Sequence, residues 1–255
     1  MRWPGKKRRS TAEADARAEA HATTVYAAAA LVLAYPDEAL VDKLDAVAQA
    51  VAGAGCADDF APLLAHLRGD LIEIQSQHAQ EFDYSKRHAL NLTYWIDGDT
   101  RRRGESLVRY KQAYRDSGLW VDLDGELPDY LPMVLEFAVH DPQRGRELLT
   151  ASRPALELLR FALRDDELPH EGVIAAICAT LPGDSPTDRL SIARLQGWQP
   201  PTETVGIGGP VDLTLAPYSG RPEPMPVGSA MSGSAANAGS VPHGLRLPIL
   251  NQQEL

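Results

Sequence analysis

Residues 80–137 read QEFDYSKRHALNLTYWIDGDTRRRGESLVRYKQAYRDSGLWVDLDGELPDYLPMVLEF, and this stretch decides the fold. A charged turn, Asp97-Gly98-Asp99-Thr100-Arg101-Arg102-Arg103-Gly104, lies between two helical patterns, Leu90–Trp95 and Ser106–Tyr114. The first half of that turn has the composition of a tight corner, with glycine for positive φ and aspartates to satisfy backbone donors. Asp99 or Thr100 is placed to cap a helix starting near Arg102. Three consecutive arginines at a helix start oppose the macrodipole, so an acid should offset them; Glu81, Asp83, Asp97 and Asp99 are the local candidates. A second element, Glu126-Leu127-Pro128-Asp129-Tyr130-Leu131-Pro132, reads as a helix start, with Tyr130, Leu131, Val134 and Leu135 supplying the apolar face. Nothing in the stretch has the arrangement of a catalytic site.

The same helical period extends outward on both sides. Upstream, an alanine-rich segment from about Thr11 to Ala34 predicts a helix, and Pro36 suits the first position of the next, with Asp37 and Glu38 in its first turn. Leu40, Leu44, Val47 and Val51 form one apolar stripe ended by Gly53-Ala54-Gly55. Asp58-Asp59 opens a further helix carrying Phe60, Leu63, Leu64, Leu67, Leu71 and Ile74. Downstream, helices are predicted over Tyr130–Phe137, Gly145–Leu163, Glu171–Leu181 and a short Thr187–Gln196. Alanine and leucine dominate, β-branched runs are few, and no βαβ alternation or repeat is present. The expectation is an all-α protein: a single helical-bundle domain over residues 12–197, a disordered basic N-terminus (1–11), and a disordered Pro/Gly-rich tail (198–255). Leu245–Leu250 within that tail reads as a solvated end in preference to a docking motif.

The formal charge of −10 is uneven. Arg2, Lys6, Lys7, Arg8 and Arg9 fall in the first nine positions without an acid, which leaves 20 bases against 35 acids over residues 10–255, a net of −15. An acidic body disfavours nucleic-acid phosphate and anionic lipid. Cys56 and Cys178 read as unpaired buried thiols. The basic start and the apolar run Val25–Tyr35 do not make a leader, because Glu13, Asp15 and Glu19 separate them and Tyr35-Pro-Asp-Glu38 stands where a small-residue cleavage site belongs. Arg8-Arg9 also lacks the apolar continuation of a twin-arginine leader, and the 11-residue run is too short to span a bilayer. The expected location is cytoplasmic. Competing chemistry is weak throughout. Gly206-Ile-Gly208-Gly209 has no strand before it, and Asp122–Glu126 would need a carboxylate at Met133 to complete a calcium loop. The seven histidines show no metal-ligand spacing and read as surface or capping residues. No metal, cofactor or enzyme activity is expected.

Ordered motifs then carry a resemblance. Glu81-Phe82-Asp83, the Gly98-Asp99-Thr100-Arg101-Arg102-Arg103-Gly104 turn, and Glu126-Leu127-Pro128-Asp129-Tyr130-Leu131-Pro132 through Leu135-Glu136-Phe137 resemble the NarJ family of nitrate reductase molybdenum-cofactor assembly chaperones, also called the delta subunit. The likeness is strongest over about residues 75–142 and extends upstream to Leu33-Ala-Tyr35-Pro36-Asp37. Asp97 stands where related chains often carry histidine, and the basic start and the long tail are not family features.

The resemblance implies an all-helical, noncatalytic protein. It would bind the N-terminal segment of the apo catalytic (alpha) subunit of respiratory nitrate reductase and hold it in the cytoplasm until molybdenum cofactor is inserted. Helix-in-groove recognition suits that task. The client-binding surface it implies comprises Glu81, Phe82, Asp83, Tyr84, Asp99, Arg101, Arg103, Gly104, Pro128, Asp129 and Tyr130, with Phe82 and Tyr84 equally readable as core. No pterin-phosphate cradle is visible, so free cofactor binding is not implied. Nucleic-acid binding and membrane insertion are not expected. A permanent reductase subunit and a leader-peptide proofreading chaperone are the alternatives.

Overall fold

The computed structural model describes the backbone of residues 5–123, 125–189 and 191–192, and side chains from residue 13 onward. Contacts divide the chain after Trp198, and the second unit, Gln199–Leu255, lies outside the described residues together with the predicted tail. The described part is all-α. Its helices are α1 (Gly5–Leu33), α2 (Glu38–Val41), α3 (Leu44–Ala54), α4 (Ala57–His66), α5 (Leu71–His78), α6 (Leu92–Asp97), α7 (Arg101–Ser117), α8 (Leu131–His140), α9 (Pro142–Ala151), α10 (Arg153–Asp165) and α11 (Glu171–Ala179). A π-helical turn (Ala79–Tyr84) and a 3-10 turn (Lys86–His88) connect α5 to α6.

Helix α8 is apolar nearly all round, and it is the centre of the bundle. Leu131, Pro132, Met133, Val134, Leu135, Phe137 and Ala138 are all buried. It packs along the C-terminal half of α1, whose Ala22, Val25, Tyr26, Ala29, Val32 and Leu33 face inward, and against α9. A helix hydrophobic on every face must be surrounded, and this one fixes the positions of its neighbours. Helices α4, α10 and α11 complete the core with Phe60, Leu63, Leu156, Leu159, Leu163, Ile174 and Ile177. Cys56 and Cys178 are free and buried, as their sequence context predicts.

Several boundaries differ from the sequence reading, each for a local reason. Asp37 is the N-cap of α2, its carboxylate accepting from Leu40 N at 2.7 Å, so Pro36 precedes the helix instead of beginning it. The stripe Leu40–Val51 is interrupted at Asp42-Lys43, yet all four apolar residues stay buried. The expected helix through Phe60–Ile74 is two helices. The chain tightens at Leu67–Gly69, and Asp70 caps α5 by accepting from Glu73 N at 3.0 Å. The expected Gly145–Leu163 helix divides at Ser152, with Pro154 in the first turn of α10. Helix α1 begins at Gly5, inside the stretch read as a disordered tail, because residues 6–11 contain no helix breaker; residues 1–4 lie outside the description. Of the segment Thr187–Gln196, residues 189, 191 and 192 are helical, while 190 and 193–196 lie outside the described residues.

Close helix approach requires glycine at two positions, Gly172 and Gly145, where a Cβ on Gly145 would sit 2.2 Å from Ala138 Cα on α8. A Cβ on Gly172, in the first turn of α11, would sit 2.2 Å from the Asp59 carbonyl oxygen on α4. Gly172→Ala should therefore force α4 and α11 apart and cost about 1–3 kcal/mol, a clear drop in Tm by thermal unfolding.

Candidate client-binding surface

The residues at the centre of the motif set are wired to one another. Asp129 is completely buried, and its carboxylate accepts from Thr93 N (2.9 Å), Thr93 Oγ1 (2.6 Å) and Asn91 Nδ2 (3.2 Å). Backbone bonds run beside it, from Leu92 N to Asp129 O and from Leu131 N to Leu90 O, around an isolated antiparallel bridge between Asn91 and Tyr130. Tyr114 donates its hydroxyl to Pro128 O at 2.6 Å. The segment before α8 is thus held by α6 and α7 together.

The network continues outward to the charged turn. Arg103 Nε donates to Thr93 Oγ1 at 3.2 Å, and its guanidinium lies 3.6 Å from Asp99, which also pairs with Lys86. Lys86 and Arg103 both lie over the Tyr94 ring, at 5.9 and 5.8 Å. Gly98 has φ +58, the conformation expected of it, and Thr100 is the N-cap residue of α7 without a side-chain capping bond. Asp99 is therefore the acid that offsets the arginine run. Glu81 serves elsewhere, accepting from or facing His88 Nδ1 at 3.0 Å. Arg101 and Arg102 are exposed and enter no ion pair among the described residues.

The sequence-predicted site residues separate into three groups. Phe82, Pro128 and Asp129 are buried; Glu81, Arg103 and Tyr130 are half-buried; Asp83, Tyr84, Asp99, Arg101 and Gly104 are exposed. Tyr84 is 83% exposed, so of the two aromatics left open by sequence, Phe82 is core and Tyr84 is not. Asp129 cannot touch a partner in this arrangement and acts on the surface only through Thr93 and Arg103.

Sequence reasoning missed a cleft of about 90 Å³ between α6, α7 and the α9–α10 junction. Thr93, Ile96, Asp97, Ser106, Arg109, Tyr110 and Ser152 line it. Tyr110 donates to Ser152 Oγ (2.5 Å), which donates in turn to Leu148 O (2.8 Å), and burial pushes the Tyr110 hydroxyl up to about 12, so it stays protonated. The signal available was Ser106, Arg109 and Tyr110 at helical spacing on α7; nothing in the sequence said that α9 and α10 would face it. Its size suits one side chain or a few waters.

The histidine reading needs correction. His78, His88 and His170 are buried, not surface residues. His78 and His170 each lie 4.8 Å from the Phe82 ring, and His88 is held between Glu81 and Asp166, whose Oδ2 is 2.9 Å from its Nε2. Phe82 lies in the π-helical turn and packs inward against the His78 and His170 rings. Desolvation pushes His78 down to about 4 and His170 to about 3, so both are neutral in the folded protein. Among the described residues, no group of three or more His, Cys, Asp or Glu could hold a metal ion, and no helix is long and apolar enough to cross a membrane.

The family model for the nitrate reductase delta subunit matches residues 44–170, which include the whole motif stretch. The chain is 35% identical over 158 residues to the nitrate reductase-like protein NarX of Mycobacterium tuberculosis, covering 61% of this chain but 24% of that protein. It is 32% identical over 167 residues to NarW of Escherichia coli, described as a probable nitrate reductase molybdenum cofactor assembly chaperone, covering 63% of this chain and 71% of that one. Against Escherichia coli NarJ, described as a nitrate reductase molybdenum cofactor assembly chaperone, identity is 32% over 143 residues, 53% of this chain and 60% of the other. A crystal structure of a putative redox enzyme maturation protein from Archaeoglobus fulgidus superposes with a TM-score of 0.49 at 21% identity, over 62% of this chain and 91% of that one, too loose a likeness to carry an argument.

The buried and exposed groups should respond differently to mutation. Asp129→Ala leaves the Thr93 and Asn91 donors unmet and should cost roughly 2–4 kcal/mol in denaturant unfolding, whereas Arg101→Ala should stay within about 0.5 kcal/mol of the parent. A second expectation concerns acid. A histidine with a lowered folded-state pKa contributes stability that is complete above its unfolded value near 6.5 and is lost as pH falls toward 4. Between pH 7 and pH 5 stability should therefore fall, with a slope growing to roughly 1.4 kcal/mol per pH unit for each of His78 and His170. His78→Phe should flatten that dependence in urea titrations across the same window.

Proposed function

This chain belongs to the nitrate reductase delta-subunit family, and we propose that it is a chaperone that binds the apo catalytic subunit of a nitrate reductase and assists insertion of molybdenum cofactor. The observation supporting this reading is the 32% identity that spans 71% of NarW, described as a probable nitrate reductase molybdenum cofactor assembly chaperone. The site geometry agrees with a holding role. Asp129, Thr93, Arg103 and Asp99 are engaged in internal hydrogen bonds and ion pairs, and Asp83, Tyr84, Arg101 and Arg102 face outward, offering apolar and charged contact.

The client segment would be the N-terminus of the catalytic subunit, laid across the rim formed by the π-helical turn, the charged turn and the cleft behind α7. From Lys86 to Arg115 the chain carries eight Lys/Arg against three Asp/Glu, a net of +5 on an otherwise acidic body. That local sign favours client positions with acidic or hydroxyl side chains at this rim, while the acidic remainder steers basic flanks. The proposed setting is the cytoplasm, before the reductase docks at its membrane partner.

Affinity capture from nitrate-respiring cells tests this, with molybdenum measured in what is captured. The expected result is recovery of the catalytic subunit depleted of molybdenum. Arg101→Ala with Arg102→Ala should weaken capture about tenfold or more at unchanged Tm. Recovery at equal stoichiometry with a molybdenum-loaded reductase would identify a permanent subunit instead. Capture of an isolated leader peptide from another molybdoenzyme, with no catalytic subunit, would identify a leader-proofreading chaperone.

A further inference from the structure

The cleft between α6, α7 and the α9–α10 junction carries polar groups that the fold itself does not use. Asp97, half-buried at the end of α6, enters no hydrogen bond or ion pair among the described residues. On α7, Arg109 donates to Ser106 Oγ at 3.2 Å and has no carboxylate partner among the described residues. Ser106 is buried and accepts that bond, but its own hydroxyl proton meets no acceptor among those residues. Asp97 and Arg109 thus line one cleft without pairing to each other. Both act on the Tyr110 hydroxyl beside them: burial dominates its pKa, while Arg109 lowers it and Asp97 raises it. Leu92, Ile96 and Leu148 supply apolar wall.

We propose that this cleft is an anchor pocket for one carboxamide side chain, asparagine or glutamine, of the client segment, a reading that rests on the chaperone role proposed above. A carboxamide carries its donors on one atom and its acceptor lone pairs on another. Its nitrogen can donate to the Asp97 carboxylate while its oxygen accepts from Ser106 Oγ and Arg109, so one side chain meets every open group in the cleft. Charged side chains fail on one wall. A lysine or arginine that met Asp97 would lie against Arg109, and a carboxylate that met Arg109 would lie against Asp97. Like charges so placed discriminate against the wrong occupant. An apolar side chain would cover Asp97 and Ser106 without replacing their water. A hydroxyl has donor and acceptor on a single oxygen and does not span two walls whose own charges stand apart.

Size narrows the occupant further. A cavity of about 150 Å³ holds a benzene ring, so a cleft of about 90 Å³ suits roughly four heavy atoms. A methylene with its carboxamide fills that space, and an indole or phenol ring exceeds it. The pocket is also formed in advance. Tyr110 is held by Ser152, and Ser152 by the Leu148 carbonyl, so little ordering is left for the occupant to bring about. Arg102, Ser106 and Arg109 follow one another at helical spacing along α7. A segment held at the exposed Arg102 therefore passes the mouth of the cleft.

NMR titration of the full chain tests the pocket directly, with N-acetylglutamine methylamide and its glutamate, lysine and methionine counterparts as probes. The expected result is saturable shifts of the Thr93, Ser106 and Ser152 amides with the glutamine probe, at a Kd on the order of 1 mM for so small a ligand. The other three probes should bind at least about tenfold more weakly. Asp97→Asn should move selectivity toward the glutamate probe and Arg109→Gln toward the lysine probe, each by about tenfold, a reversal that a merely structural role would not produce. Both variants should melt with the parent, since neither side chain ties one element to another. Absence of cleft shifts with the glutamine probe overturns the proposal, as does selectivity unchanged in the two variants. In affinity capture, each variant should recover the catalytic subunit about tenfold more weakly. Undiminished capture by both overturns the assignment of this pocket to the client. Failure of the parent to capture any catalytic subunit overturns the chaperone reading, and the probe titration then decides the carboxamide pocket by itself.

Discussion

The buried carboxylate of Asp129 is the interaction on which the arrangement rests. A carboxylate removed from water is costly unless donors replace its hydration, and here Thr93 and Asn91 supply three. Those donors sit at the start of α6, while Asp129 sits two residues before α8. Satisfying one charge therefore fixes the spacing between the helix that fills the centre of the bundle and the helix that carries the charged turn. Tyr114 bonding to Pro128 O adds α7 to the same joint. The outcome is a corner whose geometry is set by hydrogen bonds, beneath a surface set by charge.

From that joint a continuous polar path leads outward: Asp129 to Thr93, Thr93 to Arg103, Arg103 to Asp99, and Asp99 to Lys86. The Thr93 hydroxyl donates to Asp129 and accepts from Arg103, so neither group can shift without disturbing the other. This explains how an arginine run can begin a helix. Arg103 is absorbed by the network, and Arg101 and Arg102 are left facing solvent. The path ties the backbone of the charged turn to the buried joint through side chains.

A second buried charge system closes the other side of the bundle. Glu157 on α10 has no exposure and lies between Arg160, at 2.8 Å, and Arg153, at 3.6 Å. Arg153 also donates to the carbonyls of Leu181 and Pro182, and Arg160 to that of Pro186. The loop after α11 is thereby tied down by side chains in place of regular structure. Asp166, at the end of α10, receives both Arg87 and His88, joining this side to the turn that follows the π-helical segment.

The sequence by itself determined the helical class, because apolar residues recur at helical spacing from Val25 to Ile177 and almost every residue in those stripes is buried. It also determined the ordered motifs that place the chain in its family, and the corner at Gly98, where a positive φ is demanded. Boundaries were less legible where two short helices share one stripe, as at Leu67–Asp70 and Ser152, since periodicity continues through a bend that a cap or a proline creates. Only the tertiary structure decided which motif residues face outward. Asp129 and Arg101 are both charged residues next to a helix start and read alike in one dimension. The donors that bury Asp129 come from residues 36 to 38 positions away, and no local pattern encodes them. The inward turn of Phe82, the burial of His78, His88 and His170, and the cleft behind α7 have the same origin: each depends on which helix lies opposite, and that is fixed by packing around α8.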